Sequence, residues 1–368
     1  MRTDHDDQER MRIVAGAYNL EGGDPRVDGE GSALEPWSEA AARQRLDEIR
    51  SALPVEVPPG APLLDSNSND TWLLEDSVLR VCWRGDQGRM LREARLLQLL
   101  PADIPRPALL AGGGDGRLSW VLVERVEGRT LDQAWPDLTE REATALVAEF
   151  AGLLRRLHGW RPAGDVSGLL LDGLPDAAME PEAIAGRTPI ALPIPLARRL
   201  AAAARSMPFV DGALIDRVEE RLDDLTDLDT MAGPEEERVV LHGDASIVNV
   251  MVREGRVAAL LDFEWTRLGP RDLELLLPLR TFAAGAVQRP DLAGVGVSAL
   301  RGAYPELFER PDLERRLWLC EIAFNLRGLH VWPAYAPEDE MEPAHPVRRL
   351  RALVEGPSAV LQGGAIAI

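Results

Sequence analysis

Two cysteines in a chain of 368 residues are too few for a disulfide framework, and Cys82 and Cys320 show no metal-ligand spacing. Both read as small core residues. Nowhere does the chain approach the roughly 18 uninterrupted apolar residues of a membrane span. Its first residues, MRTDHDDQERMRIV, lack the apolar core of a secretory signal. A membrane-spanning protein and a disulfide-stapled one are therefore not expected, and a cytoplasmic location is. Positive charge is also short: 41 basic residues face 61 acidic ones, a formal net charge of −20. That balance argues against nucleic acid or an anionic membrane as a partner, since phosphate rewards lysine and arginine. A cationic substrate is compatible with it, although acidity also serves solubility alone.

What is present is ordinary for a globular protein, with 45% hydrophobic and 28% charged residues. The length predicts two domains or lobes of about 100 to 200 residues each. Residues 1 to 35 are polar, Gly- and Asp-rich and aperiodic, a loose leader. SEAAARQRLDEIRSAL (38–53) predicts a helix capped by Ser38 and ended by the proline-rich VEVPPGAP. TWLLED and SVLRVCW then read as short strands, QGRMLREARLLQLL as a helix and LSWVLVERVEG as a strand. TEREATALVAEFAGLLRRLHGW (139–160) is a long amphipathic helix whose Thr139 and Glu142 form a capping box. Helices dominate the rest, and no internal repeat is present. The expected plan is α+β, with a β-rich N-terminal part and a mostly helical C-terminal part that carries one small hairpin.

That hairpin lies in VVLHGDASIVNVMVREGRVAALLDFEWT (239–266), where acids and an amide interrupt apolar runs. ERVVL is strand-like, Gly243 breaks it, and VMVR and VAALLDFE resume around a turn at Arg253-Glu254-Gly255. Asp244 and Asn249 then sit at the two ends of one loop, and Asp262 at the end of the second hairpin strand. Any one of them alone suits an ordinary turn. Together they supply what phosphoryl transfer needs: an aspartate to receive the acceptor hydroxyl's proton, and two oxygen ligands that keep Mg²⁺ on nucleotide phosphates. Glu264, two residues along the same strand, faces the same side as a candidate second metal ligand or supporting group. His242 reads as a structural brace that donates from its ring to a backbone carbonyl.

H-G-D-x-x-x-x-N followed by L-D-F-E resembles the aminoglycoside phosphotransferase and choline kinase family, relatives of the protein kinases. The resemblance covers about residues 60 to 335. Leu157-His158 matches the family's Leu-His ahead of the catalytic loop, and Gly269-Pro270-Arg271-Asp272-Leu273 its glycine and Asp-Leu. It implies a two-lobed protein-kinase-like fold. Residues 36–130 would form a nucleotide-binding N-lobe with its leading helix, 131–356 a catalytic and substrate-binding C-lobe, and 357–368 a tail. It also implies Asp244 as catalytic base, Asn249 and Asp262 as metal ligands, and Asp272 as a structural brace. In SNSNDTW (66–72), Ser68 and Asn69 would belong to the nucleotide loop. Arg80 falls where kinases place the phosphate-binding lysine, Glu93 where its helix partner sits, and Glu124 to Val126 at the adenine hinge.

The function so implied is an ATP- or GTP-dependent phosphotransferase acting on a small-molecule hydroxyl, with Mg²⁺ as cofactor. The acceptor is expected to be an aminoglycoside-like antibiotic or another cationic or sugar substrate. Acidic EDEME (338–342) would draw a cationic acceptor, and Trp318, Phe324, Trp332 and Tyr335 read as core or as the lining of its pocket. The alternatives are a metabolite kinase of choline, homoserine or sugar type, a kinase-like enzyme modifying a peptide in a biosynthetic pathway, and a non-catalytic nucleotide-binding module. No partner protein is indicated.

Overall fold

The computed structural model describes residues 38–64, 69–83, 88–114, 117–162, 192–228, 237–331 and 345–356, with five further positions between 166 and 181. The leader, the tail, Ser68, EDEME, Trp332 and Tyr335 lie outside the described residues.

The N-lobe is a five-stranded antiparallel sheet in the order β1-β2-β3-β5-β4, made of β1 (Leu63–Leu64), β2 (Asn69–Leu73), β3 (Ser77–Cys82), β4 (Leu109–Gly114) and β5 (Ser119–Glu124). Two helices accompany it. Helix α1 (Glu39–Ile49) starts at Ser38, whose side chain accepts from the Ala41 N–H, and buries Ala42, Leu46 and Ile49. These pack in one cluster with Trp72, Leu79, Val81 and Trp120 of the sheet. Burial of each large apolar side chain stabilises the lobe by about 1.5–3 kcal/mol. Helix α2 (Arg89–Leu99) packs Met90 and Ala94 against Cys82 and Val121 of β3 and β5.

The C-lobe is built on α3 (Glu140–Gly159), which opens with the expected Thr139–Glu142 capping box. Its buried stripe, from Ala143 through Leu146, Val147, Phe150 and Leu154 to Leu157, has helical spacing and anchors the main hydrophobic cluster. The same cluster takes in α6 (Leu276–Gln288) and α7 (Val295–Ala303), while a second joins α4 (Ile194–Ala204) and α5 (Gly212–Asp223) to α8 (Leu313–Val331) and α9 (Pro346–Glu355). No described helix is long and apolar enough to cross a membrane.

Two small sheets position the loops between the lobes. Strand β6 (Arg129–Thr130) pairs with β8 (Val250–Arg253), which forms a hairpin with β9 (Arg256–Leu260). The hairpin turns at Glu254 and Gly255, both at positive φ (52° and 74°), the conformation that a two-residue primed turn requires. Strand β7 (Val239–Leu241) pairs with β10 (Arg267–Gly269), setting Leu241 opposite Arg267. The loop that follows β7 and the residues that precede β10 are thereby held side by side.

Candidate active site

The loop after β7 is shaped by Gly243. Its φ is +83°, and an added Cβ would lie 2.0 Å from the Trp265 carbonyl oxygen, so no larger residue fits without a shift of the backbone. Beneath the loop sits Glu274, buried, accepting from the N–H groups of His242 (2.6 Å) and Gly243 (3.0 Å). His158, from the end of α3, donates from Nε2 to the same carboxylate at 3.1 Å, and its Nδ1 lies 2.9 Å from the Tyr304 hydroxyl. Burial alone would raise the Glu274 pKa. The hydrogen bond and charge of His158, with the contribution of His242, outweigh burial and hold it below the usual carboxylate range.

Asp244 is 1% exposed. Its carboxylate accepts from Asn249 Nδ2 at 2.6 Å, and the same amide nitrogen donates to the Asp244 carbonyl at 3.1 Å. The amide nitrogen of Asn249 is thus engaged on the acid, which turns its Oδ1, the atom able to ligate a metal, elsewhere. A backbone bond from Leu261 N–H to the Asn249 carbonyl (2.8 Å) stitches this loop to the segment that carries Asp262.

The His242 ring meets the backbone of Asp244 and of Leu261. Its Nδ1 accepts from the Asp244 N–H (3.3 Å), so the ring braces the loop as an acceptor. Burial pushes its pKa down and keeps the imidazole neutral. The ring packs 4.5 Å from that of Phe263.

Asp262 adopts the left-handed conformation (φ 62°, ψ 65°), which redirects the chain after β9. Arg80 on β3 reaches it across the lobes. Nη2 of Arg80 donates to Asp262 Oδ1 (2.7 Å) and Glu264 Oε2 (3.3 Å), while Nη1 donates to both Glu93 oxygens (2.8 and 2.7 Å). Glu93 also accepts from the Phe263 N–H at 3.0 Å. Burial, only partly opposed by Arg80 and reinforced by Asp262 and Glu264, pushes Glu93 up to about 7. Burial would lower the Arg80 pKa, but the three carboxylates raise it well above its ordinary value.

Glu264 is 3% exposed and completes the cluster. Its Oε2 accepts from Asn69 Nδ2 (3.1 Å), Arg89 Nε (3.2 Å) and Arg80, and Arg89 Nη2 donates to Asn69 Oδ1 (3.1 Å). Burial and the neighbouring Asp262 raise the Glu264 pKa, against the pull of Arg89 and Arg80. One oxygen each of Glu93, Asp262 and Glu264 lies within 4.8 Å of the others, and Glu264 Oε1 is buried with no hydrogen-bond partner. An orphaned carboxylate oxygen beside two further carboxylates fits a divalent cation.

Most of the expected residues meet here. Asp272, expected as a structural brace, makes its contact away from the loop after β7. It is buried and accepts from Arg316 Nε at 2.8 Å, bracing α8, while Glu274, two residues on, does the loop's work. At the hinge, the Glu124 N–H already donates to the Ala108 carbonyl (2.8 Å) and its side chain is exposed, so this N–H is not open to a base. Phe324 is core, with the Arg280 guanidinium 4.5 Å from its ring centroid. Arg89 escaped the sequence reading. The signal was its position four residues before Glu93, which sets both on one face of α2.

A sequence profile of a family described as "Phosphotransferase enzyme family" matches residues 60–307, about two thirds of the chain. The chain belongs to the phosphotransferase enzyme family. It is a phosphotransferase. Solved structures share the fold. A Ralstonia eutropha protein described as a candidate aminoglycoside phosphotransferase superposes with TM-score 0.56 at 19% identity, over 88% of this chain and 98% of that one. The gentamicin complex of APH(2″)-IIa gives 0.54 at 16% identity, over 89% and 99%. APH(3″)-Id of Streptomyces rimosus with ADP and streptomycin gives 0.51 at 16% identity, over 80% and 99%. No curated protein sequence matches the chain. The phosphotransferase contains no lysine: all 41 of its basic residues are arginine, so the cation on β3 has no lysine elsewhere to replace it.

Proposed function

We propose that the protein transfers the γ-phosphate of ATP to a hydroxyl of a cationic or sugar-like small molecule, with an aminoglycoside-like acceptor as the first candidate. The reading is carried chiefly by the stitch between the catalytic loop and the Asp262 segment, Leu261 N–H to the Asn249 carbonyl. That bond holds Asn249, whose amide engages Asp244, beside the residue that precedes Asp262, which supports a shared site. Similar folds solved with ADP and streptomycin, or with AMP-PNP and hygromycin B, support the choice of donor and acceptor class. The nucleotide enters beside Arg80 and Asn69, and a cytoplasmic location, where such donors are abundant, belongs to the same reading.

In this mechanism Asp244 orients the acceptor hydroxyl and receives its proton as the bond to phosphorus forms, while Asn249 Nδ2 holds the carboxylate in place. Glu274 and His242 fix the loop that presents it. Asn249 Oδ1 and Asp262 would hold Mg²⁺, with Glu264 as a further ligand or support. Bound Mg²⁺ would neutralise phosphate charge. Most of the acceleration then comes from positioning and electrostatics.

Asp244→Asn is expected to lower turnover by roughly 10²–10⁴-fold while the thermal midpoint still rises with Mg²⁺ and ATP, because the nucleotide contacts remain. The assay is a coupled ADP-release measurement over a panel of aminoglycosides, choline, homoserine and sugars. Undiminished turnover in the variant would remove Asp244 from its role as base.

A further inference from the structure

Arg80 has no spare side on its two terminal nitrogens. Nη1 serves both oxygens of Glu93, and Nη2 serves Asp262 and Glu264. The three carboxylates it touches are the same three whose oxygens approach within 4.8 Å of one another. A cation of some kind is needed there, since three buried or half-buried acids so close together repel strongly in a low dielectric. Glu264 Oε1, buried and without a partner, marks a ligand position that the guanidinium leaves unfilled.

We infer that Arg80 is a stand-in cation. In the nucleotide-free protein it covers the carboxylates that a divalent ion would use, so that the ion enters only together with nucleotide phosphates. The inference rests on the metal role proposed above for Asp262.

The two halves of the fork are not equivalent. Glu93 has a side-chain exposure of 3% and is also held by the Phe263 N–H, so the Nη1 half is anchored. The Asp262 side chain is 22% exposed, so the Nη2 half faces the cleft and can exchange. Arriving phosphate oxygens offer Nη2 an anionic acceptor while the accompanying ion takes over Asp262. A planar guanidinium can span Glu93 and Asp262 at once, whereas a compact ammonium is a single point charge. Without phosphates an ion must displace Arg80 from Asp262 and leave Nη2 without that acceptor, which is unfavourable in this partly buried setting.

The test is Mn²⁺ binding without nucleotide, read by calorimetry and by the loss of the free-ion electron paramagnetic resonance signal. Mn²⁺ takes the same oxygen ligands as Mg²⁺ and is visible. Wild type should bind it weakly, and Arg80→Met at least about tenfold more tightly, because removal of the guanidinium leaves three carboxylates facing Arg89. Asp262→Asn in the Arg80→Met background should abolish the gain. If Arg80→Met does not fold, Arg80→Lys carries the test, since an ammonium held by Glu93 leaves Asp262 uncovered, and it must tighten Mn²⁺ binding as well. Adding ATP to wild type should restore tight Mn²⁺ uptake. Equal nucleotide-free affinity in wild type and variant, or a gain that survives Asp262→Asn, overturns the inference alone. Failure of wild type to bind nucleotide under any condition overturns the phosphotransferase reading, and with it the admission role given to Arg80.

Discussion

Glu274 shows how much one side chain can organise at this site. It takes two backbone N–H bonds from the catalytic loop and one ring N–H bond from His158, all in a buried setting. Its folded-state pKa lies below its unfolded value, so its contribution to stability is present above the ordinary carboxylate pKa and is lost as pH falls through the depressed value. Glu274→Gln keeps the shape but loses the charge and one acceptor. It should cost roughly 2–4 kcal/mol at pH 7, with a matching fall in turnover as the loop loosens. The stability gap to wild type should narrow as pH is lowered towards 4, as measured by urea midpoints across that range. A gap that stays constant or widens on acidification would show that the carboxylate is not what holds the loop. Asp272, expected as a structural brace, is buried against Arg316, whereas Glu274 was not singled out, because Asp-Leu and Glu-Leu both occur in DLEL and only the course of the 3₁₀ turn at 271–275 decides which acid faces the loop.

At the scale of elements, helix α1 lies before the family match, which begins at residue 60, yet it is tied into the nucleotide side of the N-lobe. Arg45 forks onto Asp70 at 2.7 and 2.8 Å and lies over the Trp83 ring at 4.0 Å. Asp70 is fully buried and follows Asn69, the residue that touches Glu264 and Arg89. Arg45→Ala should therefore destabilise the fold by about 2–4 kcal/mol and raise KM for ATP more than it lowers kcat, since the register of β2 is disturbed and the Asp244 loop is not. A loss under about 0.5 kcal/mol would place the pair among ordinary surface bridges.

The helix itself was legible in the 3.6-residue spacing of Ala42, Leu46 and Ile49 after a capping serine, as was α3 in its capping box. The hairpin was legible in Glu254-Gly255. Strand β4 was not, because LLAGGG offers no alternating pattern and three glycines read as a loop. The edge strand is formed by its pairing with β5, where Gly113 lies against Trp120, with an added Cβ 2.9 Å from the indole ring. Asp244, Asn249 and Asp262 were legible because a short motif carries them. Arg45 was not, since its partners Asp70 and Trp83 lie outside its helix and only the folded chain brings them together.

Across the whole molecule, the charge of −20 surrounds a site where buried acids and arginines are matched side chain to side chain. The inner charges are shielded from salt by burial, whereas the outer field acts on whatever approaches and is screened. For a multiply cationic acceptor the field raises the encounter rate, and for the anionic nucleotide it lowers it. The kcat/KM for a multiply charged aminoglycoside should therefore fall about tenfold as ionic strength rises from ~0.1 M to ~1 M and the Debye length shrinks from ~10 Å to ~3 Å. Over the same range kcat at saturation should hold steady, because Asp244 and its neighbours are buried, and kcat/KM for ATP should stay level or rise. A flat or rising acceptor dependence beside normal saturation would remove electrostatic attraction from acceptor selection. It would favour a neutral sugar-like hydroxyl, for which the acidic surface serves solubility alone.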